Sequence, residues 1–427
     1  MSQTSIARVH ARQVFDSRGR PTVEAEITLA NGVSARAQAP SGASTGKAEA
    51  HELRDGGAAW GGKGVAKAVA NIKGEIAALL AGFDVVDQPG LDSRLRAADG
   101  TDNLSRLGGN AILAVSLAAL RTSTVALNLP LHERIAALAG TTPSLPMPMV
   151  NILSGGLHAR RGMDVQDFLM IPLGARSYSE AFEWVWRVRA SAADLCAARD
   201  ITTLLADEGG LAPGFETSEQ ALDLMVAAFQ AAGLQPGRDA AIALDIAASS
   251  LVDGEAYNFV RSGKRLSSAD LIDTLTRWTS AYPIVSIEDG LGEDDWASWP
   301  ALTEKLAHIQ LVGDDLFATQ PARIERGVAA GIANAALIKV NQNGTFSGAL
   351  EAVRTARDGG YATIISARSG ETEDDFLADF AAGIDGGQIK IGSVRNSERL
   401  AKYNQLLRLE EAGLRWSGAR GLAPLRA

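Results

Sequence analysis

The chain has 427 residues, which at roughly 150 per domain allows two or three domains, or one large domain with an addition. Forty-one Lys and Arg against 50 Asp and Glu leave a net charge of −9, which argues against a general nucleic-acid binder, because such a protein needs a basic face. A hydrophobic share of 46% with 21% charged residues is enough for a packed core, and the single Cys196 rules out a disulfide framework or a cysteine-built metal centre.

The five His residues are scattered along the chain. Any metal is therefore expected on carboxylates, which means a hard ion such as Mg2+. No apolar run looks long enough to span a bilayer, and MSQTSIARVHARQ lacks the apolar core of a signal peptide. The expectation is a soluble, cytoplasmic protein without nucleic-acid or membrane partners.

In chain order, Val23, Ala25, Ile27 and Leu29 alternate with polar neighbours, the period of a half-buried strand. Asn31-Gly32 is a hairpin signal, and a second strand is expected from Val33 to Ala39, stopped by Pro40. Val65, Val69, Ile72, Ile76 and Leu79 step along one helical face, and an apolar helix follows from about Asn110 to Leu127. Residues 1–140 are thus expected to form an α+β domain, with a boundary at the Pro-rich stretch Pro143 to Pro148.

In residues 141–427, β-rich runs alternate with amphipathic helical runs. The β-runs are MVNILS, VQDFLMIP, TTLLADEG, AIALDIAA, PIVSIEDG, IQLVGDD, ALIKVNQNG, ATIISARSG and GQIKIGS. From PIVSIEDG onward they recur at roughly the length of one βα unit. This pattern favours a closed (β/α) barrel, with a doubly wound open sheet as the alternative.

Each β-run ends in an ionisable or polar group: Glu208, Asp245, Glu288, Asp314, Lys339, Arg368 with Ser369, and Lys390. In a barrel these ends converge on one mouth. Three carboxylates on successive units, Asp245, Glu288 and Asp314, suit Mg2+. Lys339 and Lys390, close together, are expected to depress each other's pKa and make one a base. Glu208 is a general acid if its pKa is raised. Arg368 and Ser369 suit a phosphate or carboxylate. Together these groups describe proton abstraction beside a carboxylate, through a metal-stabilised enediolate, with loss of a leaving group. PSGASTGKAEAHELRD fails as a P-loop, because Gly42 to Gly46 is one residue too short and Ala48 follows Lys47. It reads either as a small-residue turn or as a lid carrying Ser44 as a metal or phosphate contact.

VFDSRGRPTVE, APSGASTGKAEAHELRDG, ADEGGLAP, IVSIEDGLGEDDW, LIKVNQNGT and SERLAKYNQLLRLEE resemble the enolase family, and the likeness extends over nearly the whole chain. The resemblance implies an α/β protein with an enolase-type (β/α)8 barrel, an N-terminal α+β domain, a homodimer and two Mg2+ per site. Lys339 then matches the base and Glu208 the acid, with Asp167 as its partner. Asp245, Glu288 and Asp314 match the ligands of one Mg2+, and Ser44 a ligand of the second. Lys390 matches the carboxylate-binding lysine, Arg368 and Ser369 the phosphate pair, and His158 a loop histidine. A lysine base beside magnesium is the established pattern of the enolase superfamily.

Several positions depart from the family pattern. Ser-Ala367-Arg-Ser replaces Ser-His-Arg-Ser, Asp167 replaces Glu, and Ser154 replaces Asn. Arg160 and Arg161 stand where small and amide residues are usual, and Asn396 stands for Arg. A lost imidazole and added arginines suit a substrate larger or more anionic than 2-phosphoglycerate, with Arg160 and Arg161 as further substrate contacts. The leading expectation is a specialised paralogue of the kind of the carboxyphosphonoenolpyruvate synthases of phosphonate and phosphinate antibiotic pathways, acting on a small phosphorylated or phosphonylated substrate. The alternatives are a glycolytic enolase and a non-catalytic protein with the same fold.

Overall fold

The computed structural model describes residues 2–42 and 46–423. The N-terminal part opens with an antiparallel sheet of β1 (Ile6–Phe15), β2 (Pro21–Leu29) and β3 (Ser34–Gln38). Gly32 takes φ +86° in the turn between β2 and β3, and the Leu29 amide donates to the Val33 carbonyl, the chain reversal expected of Asn-Gly. The alternating face of β2 (Val23, Ala25, Ile27, Leu29) is fully buried. β1 has no clean alternation and is not marked by sequence period.

That buried face packs on helix α1 (Gly109–Leu127). Contrary to expectation, α1 is long and apolar enough to cross a membrane by length and composition alone, but 78% of its apolar window is buried inside the molecule. An all-round apolar helix is also what a domain core requires. The earlier helical run, 66–80, contains a π turn at Ile72–Ile76. The extra residue carries the core face from Ile76 to Leu80, leaving Leu79 half-buried.

The second part is a closed barrel, not an open sheet. Its strands are β4 (Met147–Ser154), β5 (Asp167–Ile171), β6 (Ala241–Asp245), β7 (Ile284–Glu288), β8 (Gln310–Gly313), β9 (Ala335–Ile338), β10 (Ala362–Ser366) and β11 (Gln388–Gly392). They neighbour one another in chain order, and β11 pairs with β4 to close the ring. β5 runs antiparallel to both neighbours, and every other pairing around the ring is parallel. A reversed strand needs no crossover helix after β4, so two helices, α2 (Tyr178–Ala197) and α3 (Ser218–Ala231), both lie between β5 and β6.

TTLLADEG is not a barrel strand. Leu204–Leu205 and Leu211–Ala212 form a small hairpin that joins the barrel through Leu153 and Leu211. Between the mouth and the closed end the barrel is filled by Met149, Leu169, Ala243, Val312 and Leu337, and Leu422 and Ala423 pack into the same cluster. With that apolar layer beneath it, the mouth is where buried ionisable groups can be compensated by one another.

Candidate active site

Strand register assembles the mouth. Glu288 lies opposite Asp245 across β7 and β6, and Asp245 opposite Asp167 across β6 and β5. Because β5 is reversed, its first residue faces the mouth instead of its last. Asp314 follows β8, Lys339 follows β9, Arg368 and Ser369 follow β10, and Lys390 lies in β11. A cavity of about 30 Å3 is lined by His158, Glu208, Asp245, Asp314, Lys339, Ala367, Arg368, Ser369 and Lys390, among others.

The lysines are bound to the acids. Lys390 Nζ donates to Asp245 Oδ2 (2.8 Å) and Glu288 Oε2 (2.7 Å), and Lys339 Nζ donates to Asp314 Oδ2. Burial acts to lower Lys339, but Asp314 outweighs it, and the ammonium is held above its usual value. Burial is likewise overridden at Lys390 by Asp245 and Glu288, which hold it well above the usual value. The expected mutual depression of the two lysines is thus reversed, because each ammonium lies nearer to carboxylates than like charge can offset.

The acid side is built from loops. Glu208 sits in the turn of the Leu204–Ala212 hairpin, and Asn151 Nδ2 donates to its Oε2 (3.2 Å). His158 Nε2 is 3.8 Å from Glu208 Oε1, and His158 Nδ1 is 3.0 Å from Asp167 Oδ2. Burial acts to raise Glu208, but His158, Arg399 and the two lysines overcome it and lower it. The expected raised acid is therefore not found, because this carboxylate is surrounded by cations. His158 loses to burial but is pushed up to about 9 by Asp167 and Glu208.

Arg368 Nη1 donates to Glu49 Oε2 (2.8 Å) and Asn341 Oδ1 (2.9 Å), and Ser369 Oγ accepts from Arg18 Nη1 (3.2 Å). Arg160 and Arg161 are exposed, in consecutive left-handed conformations (φ +52° and +60°), and neither lines the cavity. Of the two placements open to these candidate substrate contacts, pocket or solvent, they take the solvated one. Asp167 is fully buried and also absent from the lining. Ser44 lies outside the described residues.

Sequence reasoning missed Gln166, Asp289 and Asp315, all of which line the cavity. Gln166 Nε2 donates to Asp245 Oδ2 (3.2 Å). Asp289, at φ +43°, accepts the backbone amides of Asp314 (2.9 Å) and Asp315 (2.8 Å). The doublets Glu288-Asp289 and Asp314-Asp315 were the available signal. Glu49, the partner of Arg368, lies in a segment noted only for Ser44.

The donor set fits a divalent cation. Glu288 Oε1 is buried with no hydrogen-bond partner. Burial and the adjacent Asp245 push Glu288 up to about 8, the mark of a carboxylate cluster short of positive charge. Asp289, Asp314 and Asp315 offer oxygens within 4.8 Å of one another, as do the ligand atoms of His158, Asp167 and Glu208. Asp245, Glu288 and Asp314 are instead bridged by ammonium groups, which are themselves cations in place among them.

Comparison with known families gives two matches that together cover most of the sequence. The enolase N-terminal domain matches residues 6–135, and the enolase C-terminal TIM barrel domain matches residues 142–418. With eight strands closed in that order and the ionisable groups gathered at their mouth, the chain belongs to the enolase family.

Proposed function

We propose that this protein is an Mg2+-dependent carbon–oxygen lyase that removes the C2 proton of a 2-phosphoglycerate-like substrate and expels the C3 hydroxyl as water. The observation that carries this reading is that Lys339 and Glu208 line one cavity together with Asp245, Asp314, Lys390, Arg368 and Ser369. That cavity combines a base, an acid, cation ligands and anion contacts.

Asp245, Glu288 and Asp314 would hold one Mg2+ and Ser44 would contribute to a second. When bound, the ion supplies positive charge that lowers the cost of the negative charge left at C2. Lys339 must part from Asp314 and release a proton to solvent before its neutral amine can take the C2 proton. The C–H electron pair becomes the C2–C3 double bond, and the C–O pair leaves as water with a proton relayed from the protonated His158 through Glu208. Lys390 holds the substrate carboxylate, while Arg368 and Ser369 hold the phosphoryl group.

The reading extends to a specialised paralogue, close to the carboxyphosphonoenolpyruvate synthases, because Ala367 in the cavity lining leaves out an imidazole that the family pattern carries. A small phosphorylated or phosphonylated substrate, a homodimer and a cytoplasmic location belong to the same proposal. Glycolytic enolase is the second reading, favoured by the retained base, acid and ligand set. A steady-state assay with 2-phosphoglycerate separates the two. Turnover at ordinary enzyme rates, ~10 s⁻¹ or more, eliminates the paralogue. Weak turnover that rises in Ala367→His supports it.

A further inference from the structure

Asp167 was expected as the acid partner of Glu208, and its surroundings link it to Glu208 through His158. It begins β5 directly opposite Ser154, the last residue of β4. Its side chain has 0% exposure, and both carboxylate oxygens are engaged. Oδ1 accepts from Ser154 Oγ at 2.7 Å, and Oδ2 lies 3.0 Å from His158 Nδ1. His158 and Glu208 line the cavity, whereas Asp167 and Ser154 do not.

The local packing leaves this arrangement little freedom. A Cβ on Gly210 would stand 2.4 Å from Ser154 Oγ, so the Gly210 backbone closes over the serine hydroxyl. Asp is one methylene shorter than the family's Glu, and here it ends at the far side of the imidazole. Two of the departures from the family pattern, Ser154 and Asp167, meet in one hydrogen bond.

We propose that Asp167 is a positioning residue that acts through His158: fixed by Ser154, it takes the Nδ1 hydrogen and so presents Nε2 to Glu208 and the cavity. The partner of one imidazole nitrogen decides which nitrogen is left to face the other side. Without that acceptor the ring can turn over or give up its Nδ1 hydrogen. The raised affinity of His158 for its proton agrees with an acceptor at each end of the ring. The catalytic part of this inference rests on the elimination reaction proposed above, but the positioning part does not.

The test is 1H–15N NMR of the histidine side chains of the full chain, with His158→Gln to assign the ring, read in wild type, Asp167→Asn and Ser154→Ala. Wild type is expected to show His158 with hydrogen on Nδ1. Asp167→Asn is expected to move that hydrogen or lose its signal, and Ser154→Ala to produce a smaller change in the same direction. With 2-phosphoglycerate, Asp167→Asn should lower kcat about 10- to 100-fold with KM little changed, and Asp167→Glu should restore part of the loss only if the Nδ1 signal returns.

An unchanged His158 signal in Asp167→Asn overturns the proposal, as does a fall in kcat without any change at the ring. If Asp167→Asn does not fold, an unchanged ring in Ser154→Ala overturns it instead. If no substrate is turned over, the elimination reading fails while the NMR result still decides the positioning role.

Discussion

The two halves of the barrel mouth are built by different rules. From β6 to β11 the strands are parallel; Asp245, Glu288, Asp314 and Lys339 stand at or just past strand C-terminal ends, and Lys390 lies within β11. Backbone register alone sets these side chains beside one another. Around β4 and β5 the direction is reversed, and Ser154, His158, Asp167 and Glu208 come from a strand end, a loop, a strand start and a hairpin turn. There, side-chain hydrogen bonds do the placing. Four departures from the family pattern, Ser154, Arg160, Arg161 and Asp167, fall in this second half; the parallel half keeps the residues that match the family's base and metal ligands but carries Ala367 just past β10 and Asn396 beyond β11. In the parallel half Ala367, in the cavity lining, changes as a single position without a matching partner, whereas in the half set by side-chain contacts Ser154 and Asp167 depart together and bond to each other.

The sharpest test of this contrast compares one residue from each half. Lys339→Ala is expected to lower elimination by ~10⁴-fold, and Glu208→Gln by ~10²- to 10³-fold, in steady-state assays. The reverse order would mean that the loop-built half carries the chemistry.

A smaller effect concerns metal. Saturating Mg2+ should raise the unfolding temperature by several degrees, through about 2–4 kcal/mol of linkage. Glu288→Gln should abolish most of that gain while leaving the metal-free transition within a few degrees, as read by differential scanning calorimetry. Equal Mg2+ stabilisation in that variant would remove β7 from the metal site.

The next effect is on stability against pH. His158 is raised in the folded state to about 9 from an ordinary value of 6.5. Its contribution is therefore complete below about pH 6.5 and lost as pH rises through about 9. Urea unfolding at about pH 6 and about pH 9.5 should show a larger loss for wild type than for His158→Gln. Equal losses would mean that the imidazolium is not held by Asp167 and Glu208.

The smallest expected effect is at the exposed loop. Arg160→Ala and Arg161→Ala should each change KM by less than about 3-fold, because solvated charges contribute little. A rise of tenfold or more would bring this loop over the substrate and strengthen the case for a more anionic ligand.

Much of the fold was legible in the sequence. The alternation of Val23 to Leu29, the Asn-Gly turn and the repeating βα length each report a local period that the tertiary structure preserves. The parallel half of the site was legible for the same reason, since a charge closing an apolar run becomes a charge at a strand end. The hairpin carrying Glu208 was misread as a barrel strand because a short apolar run does not reveal its direction or its pairing. The shift from Leu79 to Leu80 was hidden because a π turn leaves no sequence period of its own.

The sequence by itself determined which chemical groups exist and which of them terminate strands, because those properties depend on spacing alone. Only the tertiary structure decided which charges surround each of them. Lys339 and Lys390 are held protonated and Glu208 anionic because opposite charges from distant parts of the chain surround them. Asp167 faces an imidazole instead of the cavity because one reversed strand and one missing methylene place it there.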